Sequence, residues 1–266
     1  MNNIIILAND VIQLEAQFEN LPELKCKYTI VNESRIGNKV DEMKRLAEEL
    51  NIPAEIVDGQ IIVDKFKKDV IDNDFVDSYH MGLNILLPWY YKEGLFTEED
   101  VILSEGIEDV FNLPNSAFVT STLSYKSSNA VRPELEKIFM PFSDEEWKYT
   151  HTMSGQRLYK DFDFDLYEKR LCDFYNSEFL RDFWSKKRSH RSGFLDERFE
   201  SCFLYESGIL NNDLSKYTQI EVRKPEKVDF SKYKIKKPLW HNATASHKIK
   251  WLKALREHNI IRGEQD

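Results

Sequence analysis

The chain opens on an apolar run, Ile4–Ala8, that stops at the polar pair Asn9-Asp10. A run of this length between polar residues predicts a buried strand. Val11, Leu14 and Phe18 follow at helical spacing and predict a short helix packed back on it. Tyr28–Val31 predicts a second strand, ending at Asn32-Glu33. Val40, Met43, Leu46, Ala47 and Leu50 then share one face of a longer helix, which Asn51 and Pro53 close. Ile56-Val57, the turn signal Asp58-Gly59 and Ile61–Val63 predict a small hairpin or two short strands. This β-α-β-α-β order predicts an α/β fold: one domain, with a mostly parallel central sheet flanked by helices. Such sheets bind ligands beyond the carboxyl ends of their strands, which puts Asn9, Asp10, Asn32, Glu33 and Arg35 on one rim. No Gly-x-Gly-x-x-Gly and no Walker loop follows the first strand, so a dinucleotide or phosphate-loop enzyme is disfavoured.

Farther along, residues 77–91 read as a helix containing Pro88. Phe96-Thr97-Glu98-Glu99-Asp100 forms a charged entry to a strand at Val101–Leu103. Residues 116–128 read as strand and loop, and 166–184 as an aromatic helix. Residues 185–192 form a basic loop, 225–238 an extended Lys/Tyr-rich segment, and about 246–257 a last helix.

Charge changes the picture. The net charge of −9 argues against a protein that simply coats nucleic acid. Between Arg223 and Arg256, however, eleven Lys/Arg stand against Glu226 and Asp229, a local excess of +9 that leaves −18 on the remainder. A solvated basic surface and a docking face for a polyanion or a sugar-nucleotide diphosphate both fit that excess. The 266 residues, 41% of them hydrophobic, suffice for a sizeable core. No apolar run is long enough to span a membrane. Three widely spaced cysteines, Cys26, Cys172 and Cys202, suit neither a disulfide framework nor a zinc cluster and imply a cytoplasmic setting.

Four clusters could carry chemistry. Glu105, Glu108 and Asp109 directly follow a strand, where carboxylate oxygens suit a hard divalent cation that neutralises a departing diphosphate; a solvent-exposed acidic turn reads the same way. Ser154-Gly155-Gln156-Arg157-Leu158-Tyr159 offers a close backbone approach at Gly155, or an ordinary turn. Asp196-Glu197 lies between apolar flanks, either as a general base or sugar-hydroxyl acceptor, or as the acidic start of a helix. In the segment from Trp240 to Lys248, His241 could bind a metal and Lys248 a phosphate; a packed histidine beside Trp240 is the simpler alternative.

Taken in order, these clusters resemble the GT-A family of nucleotide-sugar glycosyltransferases. NILLPWYY followed by EEDVILSEGIEDVF is similar to that family's helix and strand leading to its Asp-x-Asp motif, although Glu105-Gly106-Ile107-Glu108-Asp109 departs from Asp-x-Asp. LDERF, at Leu195–Phe199, resembles the Asp-Glu helix start that faces donor sugar and acceptor. HNATASHK resembles the terminal His-x-x-Gly-x-x-Lys pattern, with Thr244 or Ala245 near the glycine position. The resemblance implies a nucleotide-sugar-binding half at 1–110 and an acceptor half at 111–266. It implies a divalent metal, Mn or Mg, at Glu105, Asp109 and His241, and a donor held by Asn9, Asp10, Asn32, Arg35 and Lys248. Asp196 and Glu197 would be the catalytic pair.

Within the family, the compact size and basic C-terminal third look most like monomeric bacteriophage enzymes that move glucose or arabinose from a UDP-sugar to hydroxymethylated pyrimidines in DNA. Arg223, Lys232, Lys234, Lys236, Lys237, Lys186 and Arg188 would then meet the phosphates. A cell-surface glycan or protein acceptor is one alternative, and a non-catalytic interaction protein of the same fold is another.

Overall fold

The computed structural model describes residues 2–22, 26–33, 37–71, 82–119, 131–149, 152–178, 192–209, 213–242 and 247–262. The chain begins β1 (Asn3–Ala8), α1 (Val11–Glu19), β2 (Lys27–Asn32), α2 (Val40–Glu49), β3 (Ala54–Asp58), α3 (Gly59–Val70), α4 (Leu83–Tyr91) and β4 (Gly94–Glu98). The short β5 (Val101–Leu103) follows, then a 3-10 turn at Ile107–Asn112, β6 (Ser116–Val119), α5 (Arg132–Ile138), α6 (Asp144–Tyr149) and β7 (Thr152–Tyr159). The C-terminal part holds α7 (Phe164–Tyr175), α8 (Ser192–Glu206), α9 (Leu214–Tyr217), β8 (Thr218–Glu221), β9 (Leu239–Asn242) and α10 (Lys248–Glu257).

Six strands form one sheet in the order β3-β2-β1-β4-β7-β6, and β5-β9-β8 form a second, smaller sheet. The β1–β2, β2–β3 and β1–β4 ladders are parallel, while β7 is antiparallel to both β4 and β6. The architecture is therefore the expected mixed α/β fold with a helix-flanked central sheet. The alternation along β1 explains the two layers. Ile4, Ile6 and Ala8 pack with Leu14 and Phe18 of α1 and Met43, Leu46 and Ala47 of α2. Ile5 and Leu7 face α3, α4 and the aromatic helices α7 and α8, where Tyr167 meets Phe199 and Phe203 edge to face and Phe174 packs tilted on Phe199. A third cluster joins Ile102 and Trp240 of the small sheet to Trp251, Leu252 and Leu255 of α10. Among the described residues no helix is long and apolar enough to cross a membrane.

Three local expectations are corrected. Ile61–Val63 is helix, not strand: Asp58 caps α3 by accepting from the Gln60 amide, and Ile62, Val63 and Phe66 supply a buried helical face. Gly59 is required there, because a Cβ would lie 2.5 Å from the Asn32 carbonyl and 2.6 Å from Leu83. The Ser154–Tyr159 cluster is strand β7 rather than a turn. The segment 225–238 is not uniformly extended, since Pro225–Lys227 forms a 3-10 turn. The aromatic helix α7 ends at Tyr175; 179–184 lies outside the described residues, as do 77–81 and 120–128.

Candidate functional site

The order β2-β1-β4 places a topological switch between β1 and β4, where open α/β sheets form their ligand crevice. Leu7 pairs with Glu98, so the ends of both strands share this rim. The chain turns there through Glu99-Asp100 and leaves the large sheet for β5. The turn is stitched in place: the Gln17 amide of α1 donates to the carbonyls of Val101 (2.5 Å) and Glu98 (3.4 Å), and the Glu99 amide donates to Leu7 (3.1 Å). Antiparallel pairing sets His241 of β9 opposite Val101, beside Asp100. α10 then begins with Lys248 at the same place.

Five titratable groups meet as a result. Asp100 is buried, with its Oδ2 2.5 Å from Lys248 Nζ and 3.3 Å from His241 Nε2. Glu98 Oε1 accepts from the Asn84 side-chain amide at 3.1 Å. Burial works against the Asp100 charge, but His241 and Lys248 outweigh it and hold the carboxyl down at about 2. Burial and then the Asp100 charge push Glu98 up, against the pull of His241, Lys248 and Asn84. Glu99, half-buried beside two carboxylates, rises to about 8 through its loss of solvent and their charges. Burial disfavours the charged forms of His241 and Lys248, yet Asp100 raises both above their ordinary values. Glu98 and Asp100 thus face Lys248 and His241, and Glu99 is largely protonated at neutral pH.

The donor set suits a divalent cation: two carboxylates and an imidazole are hard-to-borderline ligands. Asp100 Oδ1 and His241 Nδ1 are buried without a hydrogen-bond partner, and a bound ion would satisfy such atoms. A cavity of about 10 Å³ adjoins Asp100, lined also by Gln13, Glu99, Ile102, Trp240, Lys248 and Leu252. As placed, Lys248 and His241 meet Asp100, and no group of three or more His, Cys, Asp or Glu among the described residues converges on one point.

Of the residues proposed from sequence, the structure brings His241 and Lys248 together but does not bring Glu105 or Asp109 to them. β5 and β9 are antiparallel, so Glu105 lies beyond the far end of β5, where the Ser104 amide bonds to Pro238. Glu105 and Glu108 line a separate open cleft of about 530 Å³ with Asn20 and Arg262, and Asp109 is exposed on the 3-10 turn. Asp10 caps α1 through Oδ1, accepting from the Ile12 and Gln13 amides. Asn32 is fully buried, bonded to the Ala8 carbonyl and the Lys39 amide. Asn9, partly buried, follows β1. Arg35, Lys186 and Arg188 lie outside the described residues, as do the side chains of Asp196 and Glu197, whose backbone belongs to α8. In the basic strip, Arg223 pairs with Glu221 (2.7 Å), Lys232 with Asp229 (3.4 Å), and Lys237 donates to the Ser215 carbonyl (2.6 Å). Lys234 and Lys236 are exposed and alternate with the half-buried Tyr233 and Ile235.

Sequence reasoning missed Glu98, Asp100 and Asn84 as site residues. Glu98-Glu99-Asp100 read as the entry to Val101–Leu103, whereas Gly94–Glu98 is itself a central strand, ending on Glu98, with Glu99 and Asp100 in the turn after it. The signal was present in Leu95-Phe96, an apolar pair directly before the acids.

No protein-family model and no curated protein matches the chain. Among solved structures it is similar to the galactosyltransferase LgtC in complex with donor and acceptor sugar analogs, at 10% identity and a TM-score of 0.49, covering 91% of this chain and 87% of that one. An active-site mutant of LgtC is similar at 11% identity, with the same coverages and TM-score.

Proposed function

We propose that this chain is a GT-A-type glycosyltransferase that moves glucose or arabinose from a UDP-sugar to a hydroxymethylated pyrimidine in DNA. The observation that carries the donor half of this reading is the Asp100 centre: a buried carboxylate held between Lys248 and His241 at the switch point between β1 and β4. A nucleotide fits such a rim, with its uridine toward Asn9, Asp10 and the end of β2. Its diphosphate then lies toward the first turn of α10, where backbone amides and Lys248 favour anionic oxygens.

A divalent cation, Mn or Mg, belongs to this reading and would neutralise charge on the departing diphosphate; Asp100 is the carboxylate at the rim, but the described residues as placed do not form a closed set of ligands for it. Lys248 steadies the same charge from the other side. Asp196 and Glu197 stand about one helical turn before Glu200, whose buried pair with Arg157 fixes α8 against the sheet. In an inverting reaction one of them takes the proton of the acceptor hydroxyl; in a retaining one it steadies positive charge on the sugar. On the acceptor side, the support is the density of lysines on the connection from β8 to β9. Lys234 and Lys236 project to solvent from the segment that leads directly into His241.

Mass spectrometry of hydroxymethylated duplex DNA, incubated with the protein, Mn²⁺ or Mg²⁺ and a panel of UDP-sugars, tests this function. A pentose or hexose mass increment on the modified base is the expected result. Transfer to free sugars or proteins, with none to DNA, would overturn the acceptor; no UDP binding by calorimetry would overturn the donor.

A further inference from the structure

Residues 234–236 belong to no strand, yet they keep the alternation of one. Tyr233 and Ile235 pack inward against the cluster of Trp240, Trp251 and Leu255, while Lys234 and Lys236 are exposed. The cause is a side chain of β8. Gln219 Nε2 donates to the Lys234 carbonyl at 3.2 Å, and Gln219 Oε1 accepts from the Lys236 amide at 2.8 Å. One carboxamide thus grips the backbone on both sides of Ile235, as a residue of a neighbouring strand would. A second anchor precedes it: the Tyr233 hydroxyl accepts from Trp240 Nε1 at 2.6 Å and from Gln219 Nε2 at 3.3 Å. Lys237 is engaged by the Ser215 carbonyl (2.6 Å) and Lys232 by Asp229 (3.4 Å), so Lys234 and Lys236 are the pair that this grip presents to solvent.

We propose that Gln219 is a positioning residue for the acceptor: it sets Lys234 and Lys236 side by side on one face, as two cations for neighbouring phosphates of one DNA strand. Extended residues two apart share a face and stand about 6.5–7 Å apart, close to the step between adjacent phosphates along a strand. An ammonium on a long stem meets a phosphate as a point charge and adapts to small differences in that step. Two such side chains lose less freedom on binding when the backbone beneath them is already fixed. The phosphate role rests on the acceptor reading above; the grip of Gln219 on the backbone does not.

Two variants separate the parts. Gln219→Leu keeps every lysine and most of the side-chain bulk but removes both hydrogen bonds. Lys234→Gln/Lys236→Gln removes the two charges and keeps the grip. Hydrogen exchange at the Lys236 amide, and binding of a hydroxymethylated duplex oligonucleotide across a salt series, form the test on the full chain; circular dichroism checks that the variants fold. In Gln219→Leu the Lys236 amide should exchange up to about tenfold faster, the effect of one net hydrogen bond. The slope of log affinity against log salt should flatten by about 1–2, as for one or two phosphates no longer met, although the charge of the chain is unchanged. The lysine variant should flatten the slope by about 1.8 and exchange as the parent does. Adding Gln219→Leu to it should change the slope no further. Unchanged exchange at Lys236 in Gln219→Leu overturns the positioning. Faster exchange with the parental slope overturns the phosphate role. A parental slope in the lysine variant overturns that role too, even if Gln219→Leu does not fold. If the parent binds no DNA, the acceptor reading fails and takes the phosphate role with it, and exchange at Lys236 alone decides what Gln219 does.

Discussion

Lys248 Nζ lies 2.5 Å from the Oδ2 of Asp100, although some 150 residues of chain separate them. The contact joins the first turn of α10 to the turn that leaves the central sheet, and it leaves Lys248 a quarter exposed toward the rim. Replacing Lys248 by Met keeps the aliphatic stem and removes only the charge. This variant should lose about 1.5–3 kcal/mol of stability, the range for hydrogen bonds to charged groups. It should also bind UDP at least tenfold more weakly. Chemical denaturation and calorimetry measure the two effects; unchanged UDP affinity would remove Lys248 from the donor site.

Glu200 and Arg157 form an ion pair with almost no exposure on either side. Glu200→Ala strands the guanidinium in the core and should cost about 3–5 kcal/mol. The double variant Arg157→Met/Glu200→Leu should recover much of that loss, because it leaves no unpaired charge. Equal stability of the single and double variants would contradict the pairing.

Glu221 is buried, and Arg223 grips both its oxygens. Burial alone would raise its pKa; the Arg223 hydrogen bonds and charge reverse that and lower it. The folded value is thus depressed, so the pair's stabilisation is fully present above the ordinary glutamate range, near 4.5, and is lost as pH falls through the depressed value. The difference in thermal midpoint between the parent and Glu221→Gln should be largest above pH 5 and shrink toward pH 3. A difference independent of pH would rule the ion pair out as its source.

Neutralising Lys232, Lys234 and Lys236 together should weaken DNA binding and flatten its salt dependence, by a slope of about 0.9 for each phosphate that a lysine no longer neutralises. UDP binding should stay as in the parent, since none of the three reaches the Asp100 centre. Equal salt slopes for variant and parent would make this strip a solvated face and favour a glycan or protein acceptor.

Much of the sheet was legible because β1 and β2 are short apolar runs with polar ends, and α1 and α2 carry one apolar stripe each. Ile61–Val63 misled because β-branched residues after an Asp-Gly pair read as a hairpin. In space, Asp58 caps a helix and Gly59 lets it lie against β2. His241 and Lys248 were legible as chemistry, but their acidic partner was not. The pattern after Val101–Leu103 pointed to Glu105, and only the antiparallel register of β5 with β9 shows which end of β5 faces His241. Asn84 carried no signal, because its hydrogen bond to Glu98 arises only where α4 meets the end of β4 in space.

The three acids of the turn come early in the chain, whereas His241 and Lys248, which compensate them, come well over a hundred residues later. Domains are synthesised N-terminal first, at about 5–20 residues per second. For roughly 7–30 seconds, then, a nascent chain carries Glu98, Glu99 and Asp100 without those two partners. β5 during that interval also lacks β9, its hydrogen-bonding partner. Closure of the small sheet and neutralisation of the acids are thus a single late event, and the last third of the chain decides when the crevice acquires its charge balance.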